Sequence, residues 1–139
     1  METSEHVHRR RAAAWLALAV SLGIHVADEA AHDFLSVYNP AVESIRQSLP
    51  FLPLPVFAYD VWLWGLIGAV ILLLALIPLV LRGVGVMRPI ALALGWLMVG
   101  NGLLHIGVSL VTGSAMPGVW SSPLLLLAAV WLVKTNRKQ

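Results

Sequence analysis

Gly23-Ile24-His25-Val26-Ala27-Asp28-Glu29-Ala30-Ala31-His32 decides how the rest of the chain must be read. The stretch lies near the far end of an apolar run that begins at Ala12. On a helix, His25, Glu29 and His32 fall at i, i+4 and i+7 and share one face, with Asp28 about 60° to the side of His25. Each ionisable group at membrane depth costs several kcal/mol unless it is paired or solvated. Two imidazoles and two carboxylates on one quarter of a helix therefore predict a ligand array or a proton relay, not a surface facing lipid.

Outward from this stretch, the 139 residues are 59% hydrophobic and only 12% charged. That is too apolar for a soluble domain of this size, and long enough for four spans of roughly 20 residues. We expect an all-α membrane protein, a four-transmembrane-helix bundle in one domain (12–134). The spans are expected at residues 12–35, 57–82, 89–112 and 117–134, with short tails at 1–11 and 135–139. Cysteine is absent, so any metal must be held by nitrogen and oxygen donors. The net charge of +2 comes from basic residues at the ends of apolar segments, a pattern of membrane topology and not of nucleic-acid binding.

The first tail closes with Arg9-Arg10-Arg11. His6 and His8 within it read as part of a solvated tail in preference to a metal-binding tract. A basic start followed by an apolar run also resembles a signal peptide, but no small-x-small site in it leads into a polar mature region, and the run continues into the polar cluster. Between spans 1 and 2, Asn39-Pro40 is a good helix start, Asn as cap and Pro in the first turn. Ala41, Val42, Ile45 and Leu49 then oppose Glu43, Arg46 and Gln47, which predicts a short interfacial helix that covers the polar cluster from outside. Pro50, Pro53 and Pro55 end it. Residues 61–81 carry no charge, with Trp62 and Trp64 as interfacial anchors and Pro78 as a kink near the inner end. Residues 82–88 form a tight basic turn, and 112–118 is a turn by composition. The last span is short and crosses only if it starts at Pro117 and Lys134 snorkels.

In a four-span chain the termini and the 82–88 turn share a side. They hold Arg9, Arg10, Arg11, Arg82, Arg88, Lys134, Arg137 and Lys138; the other two connections hold only Arg46. The positive-inside rule then places both termini in the cytoplasm.

Spans 1 and 3 run in the same direction, so depths can be compared at about 1.5 Å per residue. His25 lies ~21 Å beyond Arg11, and Asn101 ~20 Å beyond Arg88. Glu29 and His105 lie ~27 and ~26 Å out by the same rise. Two rungs follow, His25 with Asn101 and Glu29 with His105, in the outer half of the bilayer. Gly100, Gly102 and Gly107 flank His105 and allow close helix approach. Asp60, at the outer start of span 2, is a further candidate for the site wall.

Three chemistries suit such a cluster. The first is a metal site for Zn, Fe or Mn, and Glu29-x-x-His32 has the i, i+3 spacing by which di-iron bundles aim ligands inward. The second is a metal-free acid–base pair of Glu29 and a His, suited to an isomerase, a cyclase or an epoxide-opening enzyme. The third is a small proton or ion carrier. The plainest alternative leaves Asp28 and Glu29 near the outer interface, paired or facing water. Asp33 reads as solvated, Tyr38 and Tyr59 as interface anchors, and Ser109 and Thr112 as bonded to their own helix.

His25-Val26-Ala27-Asp28-Glu29 resembles the signature of the HXXEE membrane proteins, small multi-span proteins that also carry a later His and a Tyr-x-Pro-Gly motif. Asn101-Gly102-Leu103-Leu104-His105 matches the later His, and Ala115-Met116-Pro117-Gly118 is similar to the third motif. Asp28 stands where the family has its first Glu, and Ala115 stands where it has Tyr. The resemblance implies a membrane-bound metalloenzyme without a settled reaction, with His25, Asp28, Glu29 and His105 at the matching positions.

The residues together predict a membrane-embedded, metal-dependent enzyme, a hydrolase or isomerase acting on a lipophilic small molecule. Its expected ligands are His25, Glu29 and His105. Asp28 is expected as a further ligand or general base, and His32 and Asn101 as outer contacts. The bilayer and the lipophilic substrate are the expected partners; nucleic acid is not, and a homo-oligomer is left open.

Overall fold

The structure, a computed structural model, describes residues 4–137. Among them every regular element is a helix: α1 (Ser4–Ala31), α2 (Phe34–Ser48), α3 (Tyr59–Ala75), α4 (Ile77–Leu81), α5 (Met87–Thr112) and α6 (Ser122–Arg137). Lys138, counted above with the basic residues of one side, lies outside the described residues.

Among the described residues, three helical units are long and apolar enough to cross a membrane: α1, the α3–α4 unit Tyr59–Leu81, and α5. That is what an integral membrane protein requires, but it is three units and not the expected four. Helix α6 has 16 residues, about 24 Å of rise, and falls short of the ~20 residues a span needs.

Several helix ends differ from the expected ones, each for a local reason. Residues 4–11, expected within a tail, are already helical, because nothing between Ser4 and Ala31 breaks a helix. Arg9 even pairs with Glu5 one turn away at 2.7 Å. The first span was expected to run to residue 35. It stops at Ala31, since Asp33 takes a left-handed conformation (φ 54°, ψ 55°), one of the few side chains that tolerates it. The interfacial helix starts at Phe34 instead of Asn39, and Pro40 lies inside it. Asn39 caps nothing. Its amide donates to the Phe57 carbonyl (2.9 Å) and its Oδ1 accepts from the Phe57 N–H (3.1 Å), clipping α2 to the chain that enters α3. Of the expected apolar face of α2, Val42 is buried, while Ile45 and Leu49 stay exposed.

The kink expected at Pro78 is a break between α3 and α4 at Leu76. Trp15 of α1 donates its indole N–H to the Leu73 carbonyl beside that break, 2.7 Å away and buried. The indole N–H thus fixes α1 against the uncharged stretch of α3.

Helix α6 packs on both α1 and α5, and α1 packs on α3 and α4. The core is Trp15, Leu18, Leu22 and Val26 of α1 with Leu125, Ala129 and Leu132 of α6. Close approach of α5 to α6 depends on Gly95 and Gly102, where a Cβ would press on Val133 and on the Ser122 carbonyl. Of the three glycines expected to serve this purpose, Gly100 and Gly107 face open space instead. Val61, Trp64, Ile71, Leu97, Leu110 and Leu127 stand exposed, an apolar belt that water would not tolerate and lipid would. At the basic end, Arg88 Nε donates to the Asn136 carbonyl at 3.0 Å, tying the start of α5 to the end of α6.

Candidate metal centre

α1 carries His25 and Glu29 one turn apart, and α5 brings His105 to the same level. All three are buried, at 1%, 4% and 1% exposure. Glu29 Oε1 lies 3.2 Å from His105 Nε2 and 3.5 Å from His25 Nε2. The two rings meet edge to face with centroids 4.8 Å apart. One ligand atom from each residue lies within 4.8 Å of the other two, so the group could hold a metal ion. Donors about 2.0–2.1 Å from a tetrahedral metal stand about 3.3 Å from each other, close to both Glu29 distances.

The outer nitrogens fix which way each ring presents its protons. His105 Nδ1 lies 2.7 Å from the Pro117 carbonyl, which only accepts, so Nδ1 carries the hydrogen. His25 Nδ1 lies 2.8 Å from Ser121 Oγ. The Ser121 hydroxyl proton is directed at Asp28 Oδ2 (2.7 Å) and the Gly118 carbonyl (3.1 Å), so its oxygen accepts from His25. With Nδ1 committed on each ring, Nε2 is the atom turned toward the Glu29 carboxylate, and a neutral ring would offer it a lone pair. His25 Nε2 has no hydrogen-bond partner among the described residues. Three acceptors facing one another in a buried space need positive charge among them, either a cation or protons.

A turn that sequence reasoning treated as a connection closes the site. Gly118 has φ +88°, and a Cβ there would lie 2.9 Å from Glu29 Cγ, His105 Cε1 and His25 Cε1. No side chain fits between this turn and the three ligands. On the other flank Phe34 of α2 stacks near His105 (centroids 5.7 Å) and Trp62 (5.9 Å), covering the cluster.

The remaining candidates take other places. Asp28 is not in the three-residue group. Its Oδ2 accepts from the Ser121 N–H (2.9 Å) and hydroxyl, and its Oδ1 lies 2.9 Å from His32 Nδ1. His32 is exposed and also bonds the Asp28 carbonyl at 2.8 Å. Asn101 makes no bond to His25, and its Oδ1 is buried without a partner among the described residues. Asp60 stands exposed in the first turn of α3. Ser109 and Thr112 bond the carbonyls one turn back, as expected (both 2.8 Å). Ser121, the Pro117 carbonyl and Phe34 were not anticipated. Their only signal was position: Pro117 and Gly118 belong to the third motif, and Ser121 follows three residues on.

A family model described as a protein of unknown function with an HXXEE motif matches residues 14–132. The chain belongs to this family. No curated protein and no solved structure matches it. In this member of the HXXEE family the three motif regions meet at one point. The motif helix supplies His25 and Glu29, the later histidine is His105, and the Pro-Gly turn packs against all three.

Proposed function

We propose that this protein is a metal-dependent membrane enzyme acting on a lipophilic small molecule, with a divalent Zn, Fe or Mn ion held by His25, Glu29 and His105. The carrying observation is that three buried groups able to ligate converge, with both outer imidazole nitrogens already committed as donors. Such a metal would activate a water or polarise a carbonyl or epoxide oxygen. The protein's own residues do the rest. Ser121 and the Pro117 carbonyl hold the two rings in one tautomer and orientation. Asp28 accepts from Ser121 and touches His32, whose side chain is 52% exposed, so it anchors Ser121, and through it the His25 ring, from the outer edge of the site.

An open groove of about 590 Å³ runs beside the closing turn, bounded by Ile106, Leu110, Ala115, Val119, Trp120 and Pro123. Its walls suit an apolar substrate, and Ala115 widens it where other family members carry the Tyr of their motif. We further propose that α6 serves as the fourth span, because it packs on α1 and α5 from the cluster to the basic end. The termini then lie in the cytoplasm by the distribution of basic residues. A carrier role is disfavoured by the apolar layer of Trp15, Leu18, Leu22, Leu125 and Leu132 between the cluster and that end.

Elemental analysis of detergent-purified, tag-free protein tests the reading. About one transition-metal ion per chain is expected, lost in Glu29→Ala and His105→Ala. No ion in the wild type, even after reconstitution with Zn, Fe or Mn, would overturn it. The 3.2 Å contact between Glu29 Oε1 and His105 Nε2 would then mark a proton-sharing pair, and the acid–base isomerase would take its place.

A further inference from the structure

The opposite end of the bundle holds a second polar site, about 21 Å along α1 from His25. Arg11 is buried there (8% exposed), and its Nε and Nη2 find no hydrogen-bond partner among the described residues. It lines a cavity of about 250 Å³ with His8, Gly83, Gly85, Arg88 and Asn136. None of the described residues lining the cavity is acidic. The cavity wall is built, not incidental. Gly83 takes φ +68°, and a Cβ there would run into the His8 imidazole, so the turn and the ring fit only without a side chain.

A guanidinium cannot give up its charge in a protein, so burial leaves it needing an anion. Arg11 alone carries that need, since two of its guanidinium nitrogens are buried without a partner among the described residues. The planar fork of arginine matches the oxygens of phosphate, and basic pockets between membrane helices are a recurring place for phosphorylated headgroups. We propose that the pocket between α1, the 82–86 turn and the end of α6 binds a phosphate-class oxyanion, supplied by a lipid headgroup or from solution, with Arg11 as its main donor. This site shares no residue with the metal centre and stands whether or not a metal binds there.

The test uses the full chain in a maltoside detergent and phosphate-free buffer, with thermal unfolding followed during titration. The probes are inorganic phosphate, short-chain phosphatidic acid, and phosphatidylcholine of the same acyl length. Phosphatidic acid or inorganic phosphate is expected to raise the unfolding midpoint, and phosphatidylcholine is not. A response to phosphatidic acid alone assigns the lipid headgroup; a response to both shows that the free oxyanion suffices. Arg11→Met is expected to need at least ten times more of the active probe. Without anion it is expected to be no less stable than the wild type, since it removes an unpaired buried cation. Should Arg11→Met fail to fold, Arg11→Lys keeps the charge without the fork and is expected to bind at least threefold more weakly. No midpoint shift with either probe would overturn the proposal. So would an Arg11→Lys chain that binds like the wild type, or an equal loss in Arg82→Met, an exposed charge on the neighbouring turn.

Discussion

Changing Gly118 to alanine adds one methyl group to the centre of the site and removes none of the three converging side chains. Two costs arise. The backbone at φ +88° is left-handed, which costs a residue with a Cβ about 1–2 kcal/mol. The methyl would also sit 2.9 Å from three carbons, one each on Glu29, His105 and His25, where about 3.5–4.0 Å is comfortable. Overpacking of that kind costs about 1–3 kcal/mol more. Gly113→Ala separates the two, because Gly113 has φ +66° with nothing within 4 Å of the added Cβ. We expect Gly113→Ala to lose about 1–2 kcal/mol and Gly118→Ala about 2–5 kcal/mol. Equilibrium unfolding in detergent, followed by tryptophan fluorescence, measures both, with metal content read on the same samples. If the site holds the proposed ion, Gly118→Ala is also expected to release it, because His25, Glu29 and His105 must part to admit the methyl. Equal losses in the two variants, with the ion retained in both, would refute the closure of the site by this turn.

Ser121→Ala removes the acceptor that orients His25 without touching a ligand. Metal affinity is expected to fall about 10–100-fold, measured by competition with a chelator, and unchanged affinity would show that Ser121 does not set the ring. The absence of native cysteine makes topology simple to read. A single cysteine at Gly85 is expected to react only from the cytoplasmic side and one at Ser114 only from the outside; the reverse pattern would invert the bundle.

His25, Glu29 and His105 were legible in the sequence because helices are rulers. A fixed rise and turn put two residues on one face and matched the third across to another helix at the same depth. Asp28 shows the limit of that ruler. It shares the neighbourhood of the face, yet its side chain turns to Ser121 because a hydroxyl and an N–H there satisfy both lone pairs better than a crowded ligand shell. Asn101 sits at the depth of His25 but at a rotation that depth alone does not report. Helix ends were read less well. Asn39-Pro40 has the chemistry of a helix start, but a left-handed Asp33 had already turned the chain, and Asn39 served a long-range clip that no local pattern encodes.

The shortness of α6 and the closure of the site have one cause. Helix α5 continues to Thr112, about 10 Å beyond His105, and the chain then returns so that Pro117 stands beside His105 again. Residues 117–121 therefore lie at the depth of the cluster without being helical. In a bilayer, irregular backbone at that depth is tolerated only when it is buried in protein and its polar groups are satisfied. Several of them find partners in the site or at its edges. The Pro117 carbonyl accepts from His105, and the Gly118 carbonyl accepts from the Ser122 N–H (3.1 Å) and hydroxyl (2.8 Å). The Ser121 N–H donates to Asp28, and the Met116 N–H donates to Ser109 Oγ at 2.9 Å. A full-length fourth span would put helix where this turn now sits, and neither imidazole would keep its outer partner. The polar residues of the motif thus act in two directions: His105 and Asp28 hold the turn down, and the turn holds the ligands facing one another.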